Sequence, residues 1–111
     1  MLSRQRRLRA DRDWDALFQR GFGVSGPVVA LRVCATPGRR RLGVSVGKKL
    51  GGAVERNRIK RRLRAIALAR WESLPEADMA LLARPGAAAA DFAALDAAVM
   101  ELADRARKRI P

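Results

Sequence analysis

The strongest constraint on the fold comes from one helix whose surface is almost entirely basic. Between residues 53 and 71, apolar residues recur at helical spacing, at Ile59, Leu63, Ile66 and Ala67. Six of the nine positions from 56 to 64 are basic: Arg56, Arg58, Lys60, Arg61, Arg62 and Arg64. A helix with one narrow apolar stripe can be buried on one side only. We therefore expect it to lie as an outer layer on a sheet.

The net charge of the chain is concentrated around this helix. The whole chain carries +13, and residues 39–64 hold 11 basic side chains against the single acid Glu55. Such a surplus destabilises a compact domain by self-repulsion unless a polyanion binds it. A membrane-surface or calmodulin-binding helix is a weaker alternative, because the apolar stripe is narrow and has no exposed aromatic residue. The charge therefore favours a nucleic acid over a solvated face without a partner.

The hydrophobic pattern of the chain predicts a two-layer α/β (α+β) sandwich in the order α-β-β-α-β-α. Helices are predicted over residues 11–20, 53–71 and 91–108. Strands are predicted over residues 28–34, 42–46 and 76–84. Residues 1–9 are predicted to form a basic flexible arm, and residues 22–27 a loop. We expect one domain over residues 1–111, with about three helices packed on a mixed sheet of three to four strands.

The composition excludes several kinds of catalytic protein. The chain has no His and one Cys, so neither a standard zinc site nor a triad with a His base can be built. We find no carboxylate pair and no activated nucleophile, so we expect no catalytic residues and no protein-bound metal. Cys34 cannot form an internal disulfide, and no signal peptide or membrane span is found. A cytoplasmic location without a membrane partner is therefore expected.

Two features of the sequence each have two explanations. Gly43, Ser45 and Gly47 share one face of a predicted strand, and such a row lets either a packed helix or the backbone of a ligand approach the sheet. Trp14 and Phe18 lie one turn apart on the first predicted helix. They are either core residues or platforms on which nucleobases stack.

Residues 43–64, with the sequence GVSVGKKLGGAVERNRIKRRLR, resemble the signature of the bacterial ribonuclease P protein subunit. The Arg-Asn-Arg core at residues 56–58 is the most diagnostic motif of that family. Residues 8–21, which include the aromatic Trp14, resemble the family's first helix, and residues 78–84 resemble its last core strand. The resemblance covers most of the chain.

This resemblance implies a protein that assists an RNA enzyme. In the family, the holoenzyme removes the 5′ leader of precursor tRNA, and the RNA subunit performs the hydrolysis with Mg²⁺. The protein is the non-catalytic component of this endoribonuclease, and it binds both the catalytic RNA and the leader. The resemblance implies no DNA partner and no cofactor bound by the protein alone. It also implies that the strand-helix-strand crossover is left-handed, against the usual rule for parallel strands.

The resemblance also assigns site residues. Contacts to the catalytic RNA are carried over to Arg56, Asn57, Arg58, Lys60, Arg61 and Arg64. The leader-binding cleft is carried over to Trp14, Phe18, Arg32, Ser45, Gly47 and Lys49. Further basic contacts are expected from Arg6, Arg7, Arg9, Lys48 and Arg62. Two other functions are kept open, a ribosomal or general nucleic-acid-binding module and a self-sufficient nuclease. The first explains the charge but no cleft, and the second lacks catalytic side chains.

Overall fold

A four-stranded mixed sheet carries three helices. The computed structural model describes residues 2–110, and the terminal residues Met1 and Pro111 of the predicted domain lie outside the described residues. The helices are α1 (Asp11–Arg20), α2 (Ala53–Ala69) and α3 (Phe92–Arg109). The strands are β1 (Phe22–Ser25), β2 (Val29–Ala35), β3 (Arg41–Ser45) and β4 (Ala77–Ala83). The predicted order of helices and long strands, and the α+β class, are confirmed.

The order of the strands in the sheet is β1-β2-β4-β3. β2 pairs antiparallel with β1 and with β4, whereas β3 and β4 are parallel and are joined through α2. The prediction of a loop over residues 22–27 is wrong for β1. This strand is short and contains Gly23, so its local signal is weak. It forms because its register sets Val24 opposite Leu31, and both side chains are buried.

Helices α2 and α3 cover one face of the sheet. The predicted stripe of α2 is buried there, and Ile59 and Leu63 are almost fully enclosed. On α3, Leu95 and Val99 are buried in the same cluster, whereas Phe92 stays 46% exposed at the first turn. Burying an apolar side chain of this size contributes about 1.5–3 kcal/mol. The apolar stripe therefore decides which side of α2 meets the sheet, and the basic side is left outside.

Helix α1 packs on the opposite face of the sheet. Leu17 of this helix forms a second, smaller cluster with Leu8 and Ala80, and Trp14 packs against it. About three helices on the sheet were expected in two layers; two of them form a layer on one face, and α1 lies on the other. Because α1 has only ten residues, it covers part of that face and leaves the rest open.

Residues 2–9 are docked on the sheet. Leu2 and Leu8 are buried, and the amide of Leu8 donates to the carbonyl of Leu42 at 3.0 Å. Arg7 forms a parallel bridge with Leu42, so the segment lies along the outer edge of β3. The prediction of a flexible arm is therefore wrong here. Burial of the two leucines holds the segment on the sheet. The prediction rests on the arginines around them.

A network centred on Asp78 ties α1 to β3 and β4. Arg41 donates to both oxygens of Asp78, at 3.0 Å and 2.9 Å, and also lies 3.3 Å from Asp13 of α1. Arg39 reaches Asp78 at 3.3 Å. Burial by itself raises the pKa of Asp78, but the hydrogen bonds and charges of Arg41 and Arg39 outweigh it, so the pKa lies below its usual value of 3.8.

The lowered pKa of Asp78 predicts a loss of stability in acid. A carboxylate with a depressed pKa in the folded state stabilises the fold above the unfolded pKa, and this contribution disappears as pH falls through the folded pKa. We expect the Tm to decrease as pH falls below about 4, and Asp78→Asn to lower the Tm at pH 7 while flattening that acid decrease. Circular dichroism melts between pH 2 and 7 measure this. The exposed Asp15→Asn is the control, and an unchanged acid decrease in Asp78→Asn would contradict the assignment.

Candidate nucleic-acid interface

The turn between β3 and α2 sets the direction of the basic helix. Lys48–Leu50 form one 3-10 turn, and Gly51 then adopts φ +129°, in the left-handed region that favours glycine. α2 follows at once, with Gly52 before its first residue and Glu55 in its first turn. An acid at that position is favourable because the helix dipole is positive there.

The outward side of α2 forms the surface that we call the basic face. It consists of Arg56, Asn57, Arg58, Lys60, Arg61, Arg62 and Arg64. Asn57, Arg58 and Arg61 are exposed, and the other four are partly exposed. The six predicted RNA contacts thus lie together on one surface of one helix.

The charges of the basic face have no acidic partner among residues 2–110. All the ion pairs in this part of the chain join other residues, and none involves a cation between positions 48 and 64. By contrast, Arg41 binds Asp78 and Arg70 binds Asp96. The Nε of Arg56 is also buried without a hydrogen-bond partner. An unpaired buried donor costs about 1–3 kcal/mol, and the unpaired cations around it leave charge that an anion can compensate.

An open row of small and apolar side chains crosses the uncovered part of the sheet, and we call it the shelf. The register aligns one residue from each strand, Ser25, Ala30, Leu82 and Ser45. At a strand spacing of about 4.8 Å, the row is roughly 14 Å long. The neighbouring row, which contains Gly43, lies under α1. Next to α1 the shelf widens into a hollow of about 310 Å³.

The members of the aromatic pair, and those of the row of small residues, have different surroundings in the structure. Some lie between a helix and the sheet, and others stay exposed. A Cβ on Gly43 would overlap the ring of Trp14, so Gly43 is small because a helix packs on it. Ser45 and Gly47 remain exposed, as a ligand site requires. Phe18 is 45% exposed and lines the hollow, with its ring centroid 6.5 Å from that of Trp14 and an interplanar angle of 15°. Trp14 therefore packs on the sheet at Gly43, whereas Phe18 keeps an exposed ring beside the hollow.

Arg32 lies in the same row as Gly43 and donates its hydrogen bonds within the protein. Its Nη2 donates to the carbonyls of Phe18 at 2.7 Å and Gly21 at 2.8 Å, and its Nε donates to that of Leu17 at 3.4 Å. All three carbonyls belong to the end of α1. The predicted cleft residue is thus beside the hollow, but its guanidinium is already bound to backbone.

The remaining predicted residues extend the two surfaces. Lys48 and Lys49 are exposed in the turn that connects the end of β3, beside the shelf, with the start of α2. Arg7 lines a groove of about 510 Å³ together with Arg61 and Arg64, so it enlarges the basic face. The lysine turn therefore connects the shelf to the basic face.

The other two cations of the N-terminal segment are placed differently. Arg9 lines a second groove, of about 380 Å³, with Arg4 and Arg12. The guanidinium of Arg6 lies 4.9 Å from the ring centroid of Trp71, so this cation is held within the protein. Arg4 and Arg12 were not identified from the sequence. The same is true of Ser25, Ala30 and Leu82, because only the docking of the N-terminal segment forms the second groove and only the sheet register forms the shelf.

The described residues were also searched for a metal cluster and for a membrane-spanning helix. Over residues 2–110, no group of three or more acidic or cysteine side chains is placed to hold a metal ion. No helix in the same region has both the length and the hydropathy that are needed to span a membrane.

The comparisons with known proteins all indicate one family. The family model Ribonuclease P matches residues 2–107. The Ribonuclease P protein component of Acidothermus cellulolyticus is 41% identical over 101 residues, covering 87% of this chain and 84% of the relative. That of Brevibacillus brevis is 36% identical over 110 residues, covering 96% and 86%.

The solved structures agree with the sequence relatives. The RNase P protein of Staphylococcus aureus superposes with a TM-score of 0.84 at 26% identity, covering 92% of this chain and 95% of that one. The RNase P protein of Thermotoga maritima gives 0.81 at 26% identity, covering 89% and 96%. The resemblance seen in the Arg-Asn-Arg segment is confirmed. The chain belongs to the ribonuclease P protein family, whose members are protein components of an RNA-based, tRNA-processing endoribonuclease.

Proposed function

We propose that this protein binds the catalytic RNA of ribonuclease P through the basic face and the 5′ leader of precursor tRNA along the shelf. Membership in the family implies partnership with the RNase P RNA. The observation that carries the proposal is the set of cations on α2 without an acidic partner. A folded domain tolerates such a set when a polyanion compensates it.

The basic face suits a folded RNA backbone. Guanidinium groups donate two parallel hydrogen bonds to a phosphate, and five of the seven residues on this face are arginines. Arg56, Lys60 and Arg64 follow one another at intervals of four along the helix, where like charges repel by about 0.2–0.5 kcal/mol per pair. Bound phosphates would remove this repulsion. Asn57 stands among them as a donor and acceptor for a base edge or a ribose.

The shelf suits a single strand of any sequence. Small side chains at Ser25, Ala30 and Ser45 leave room for a nucleotide backbone close to the sheet, and Phe18 offers a ring beside them. Aromatic stacking contributes about 1–3 kcal/mol per base and tolerates all four bases. Lys49 lies in the turn between β3 and α2, where it can contact phosphates on the way to the basic face. Leaders vary in sequence, and this mode of binding accepts that variation.

In this proposal the RNA subunit supplies the chemistry. Asp78 is bound by two arginines and Asp96 by Arg70, so these two carboxylates are engaged in ion pairs. We therefore assign the Mg²⁺ used in hydrolysis to the RNA, and we assign binding and orientation of the two RNAs to the protein. The proposed assembly is cytoplasmic, which agrees with the single unpaired cysteine, Cys34.

Reconstitution tests the proposal as a whole. The protein is added to a bacterial RNase P RNA and precursor tRNA, at a Mg²⁺ concentration where the RNA alone is nearly inactive. We expect cleavage at the mature 5′ end only when both components are present. Binding of the RNA without stimulation of cleavage would instead indicate a general nucleic-acid-binding module. Cleavage by the protein alone would indicate a self-sufficient nuclease.

Substitution of Phe18 tests the leader site. In the reconstituted holoenzyme, Phe18→Ala is expected to weaken binding of precursor tRNA by roughly fivefold to a hundredfold, since one stacking surface is lost, and to leave binding of mature tRNA unchanged. Filter binding with both RNAs measures the two affinities. Phe92→Ala is a matched control, because Phe92 is equally exposed but lies on the helix of the other sheet face. Equal losses for both tRNAs would contradict a leader contact.

A further inference from the structure

Arg32 is a cation in the cleft that donates hydrogen bonds to the backbone of its own protein. Its guanidinium donates to three backbone carbonyls at the end of α1, those of Leu17, Phe18 and Gly21. Its Cζ also lies 5.6 Å from the centroid of the Phe18 ring, within the range of a cation-π contact. These bonds use Nε and Nη2, so a leader phosphate that took over either nitrogen would have to displace backbone carbonyls.

Two of these contacts reach the carbonyls of Phe18 and Gly21 at the end of α1, whereas the carbonyl of Leu17 also accepts from the Gly21 amide at 3.0 Å. The last carbonyls of a helix have no partner within the helix, and a cation placed there also interacts favourably with the negative end of the helix dipole. α1 has ten residues, a length at which an isolated helix is marginal. Its last turn carries Phe18, the exposed ring beside the shelf. Arg32 of β2 therefore contacts both the end of α1 and the ring that this last turn carries.

We propose that Arg32 is a positioning residue for the leader: it clamps the end of α1 so that the Phe18 ring is held beside the shelf, and it binds no leader phosphate itself. This inference rests on the proposed leader site. It gives Arg32 a different role from the leader contact that the family resemblance assigned to it.

Three variants in the reconstituted holoenzyme test the clamp: Arg32→Ala, Arg32→Lys and Phe18→Ala, with the double variant Arg32→Ala/Phe18→Ala. The measured quantity is the affinity for precursor tRNA relative to mature tRNA, over a range of KCl concentrations. We expect Arg32→Ala to lose much of the leader affinity that Phe18→Ala loses, and the double variant to lose no more than Phe18→Ala. The slope of log affinity against log salt should stay unchanged, because no phosphate contact is removed.

The lysine variant separates the two roles of a cation at this position. Lysine keeps the charge but lacks the planar fork that reaches several carbonyls at once. We expect Arg32→Lys to lose leader affinity as Arg32→Ala does, and both variants to show faster amide hydrogen exchange at Phe18 and Gly21. Thermal melts establish that each variant is folded, and the lysine variant keeps the test informative where alanine unfolds the chain.

The outcomes distinguish failure of the Arg32 clamp from failure of the proposed leader site. Any one of three results would overturn the clamp and indicate a direct phosphate contact. The first is a salt slope reduced by about 0.7 in Arg32→Ala. The others are full leader affinity in Arg32→Lys and additive losses in the double variant. An effect of Phe18→Ala with none of Arg32→Ala would also overturn the clamp and leave the leader site intact. No effect of Phe18→Ala would overturn the leader site, and the clamp would then have no ligand to serve.

Discussion

Replacing Arg58 and Arg61 together with alanine is expected to weaken binding of the catalytic RNA by roughly a hundredfold at low salt. Both side chains are exposed on the basic face, and neither has an acidic partner among residues 2–110. A hydrogen bond to a charged group contributes about 1.5–3 kcal/mol, so two lost contacts account for a change of this size. The salt dependence should flatten by about 1.4–1.8 log units per log unit of salt, since each phosphate contact contributes 0.7–0.9.

The control for this prediction removes the same charge elsewhere. Arg107 and Lys108 are exposed at the end of α3, where Arg107 pairs with Asp104 and donates to the carbonyl of Ser73. Arg107→Ala/Lys108→Ala should change affinity only slightly, because these residues lie off the basic face. Titrations of labelled RNA at several KCl concentrations measure both the affinity and the slope. Equal effects of the two double variants would show that net charge alone, without a defined surface, attracts the RNA.

Gly43→Val is expected to have the largest effect on the fold and the cleft together. A Cβ at this position overlaps the Trp14 ring, so α1 must move away from the sheet. Overpacking of this kind costs about 1–3 kcal/mol, and a domain of this size then melts several degrees lower. The displaced helix carries Phe18 with it. We therefore expect the holoenzyme to discriminate poorly between precursor and mature tRNA while the basic face still binds the catalytic RNA.

The same substitution four residues further on, just beyond the end of β3, provides a matched control. Gly47 has an extended backbone, at φ −73° and ψ 158°, and a Cβ there has nothing within 4 Å. Gly47→Val should therefore leave the melting temperature unchanged. Thermal melts of both variants and binding of both tRNAs complete the test. A stable Gly43→Val protein with full discrimination would mean that the Trp14 packing does not hold the cleft in shape.

The sequence predicted the basic helix well because its signals are local. The apolar stripe that includes Ile59 and Leu63 is buried as its spacing indicated, and the cations between its members face outward. Helical periodicity places a residue on a face without reference to any other part of the chain. The Arg-Asn-Arg segment lies within one helix, so its residues were adjacent before any tertiary contact formed.

The sequence predicted the N-terminal third less well, because its structure depends on partners distant in the chain. β1 exists through its pairing with β2, and residues 2–9 are held by Leu2 and Leu8 in pockets formed by other elements. Arg32 is the clearest case. The face of the sheet on which Arg32 lies was predictable from strand alternation. The carbonyls that accept its hydrogen bonds belong to α1, and no local sequence pattern predicts how α1 packs on the sheet.

The sequence by itself thus determined the class of fold, the family, the excess of positive charge and the helix that carries most of it. The charge and the basic helix depend on composition and on spacing within one element, the fold class on the order of the predicted elements, and the family on the resemblance carried mainly by residues 43–64. Only the tertiary structure decided which glycine lies under a helix, which aromatic ring stays free and where the shelf runs. The shelf joins Ser25, Ala30, Ser45 and Leu82 from four strands. Their alignment depends on the register of three strand pairs, and register is set by how the whole sheet buries its apolar face.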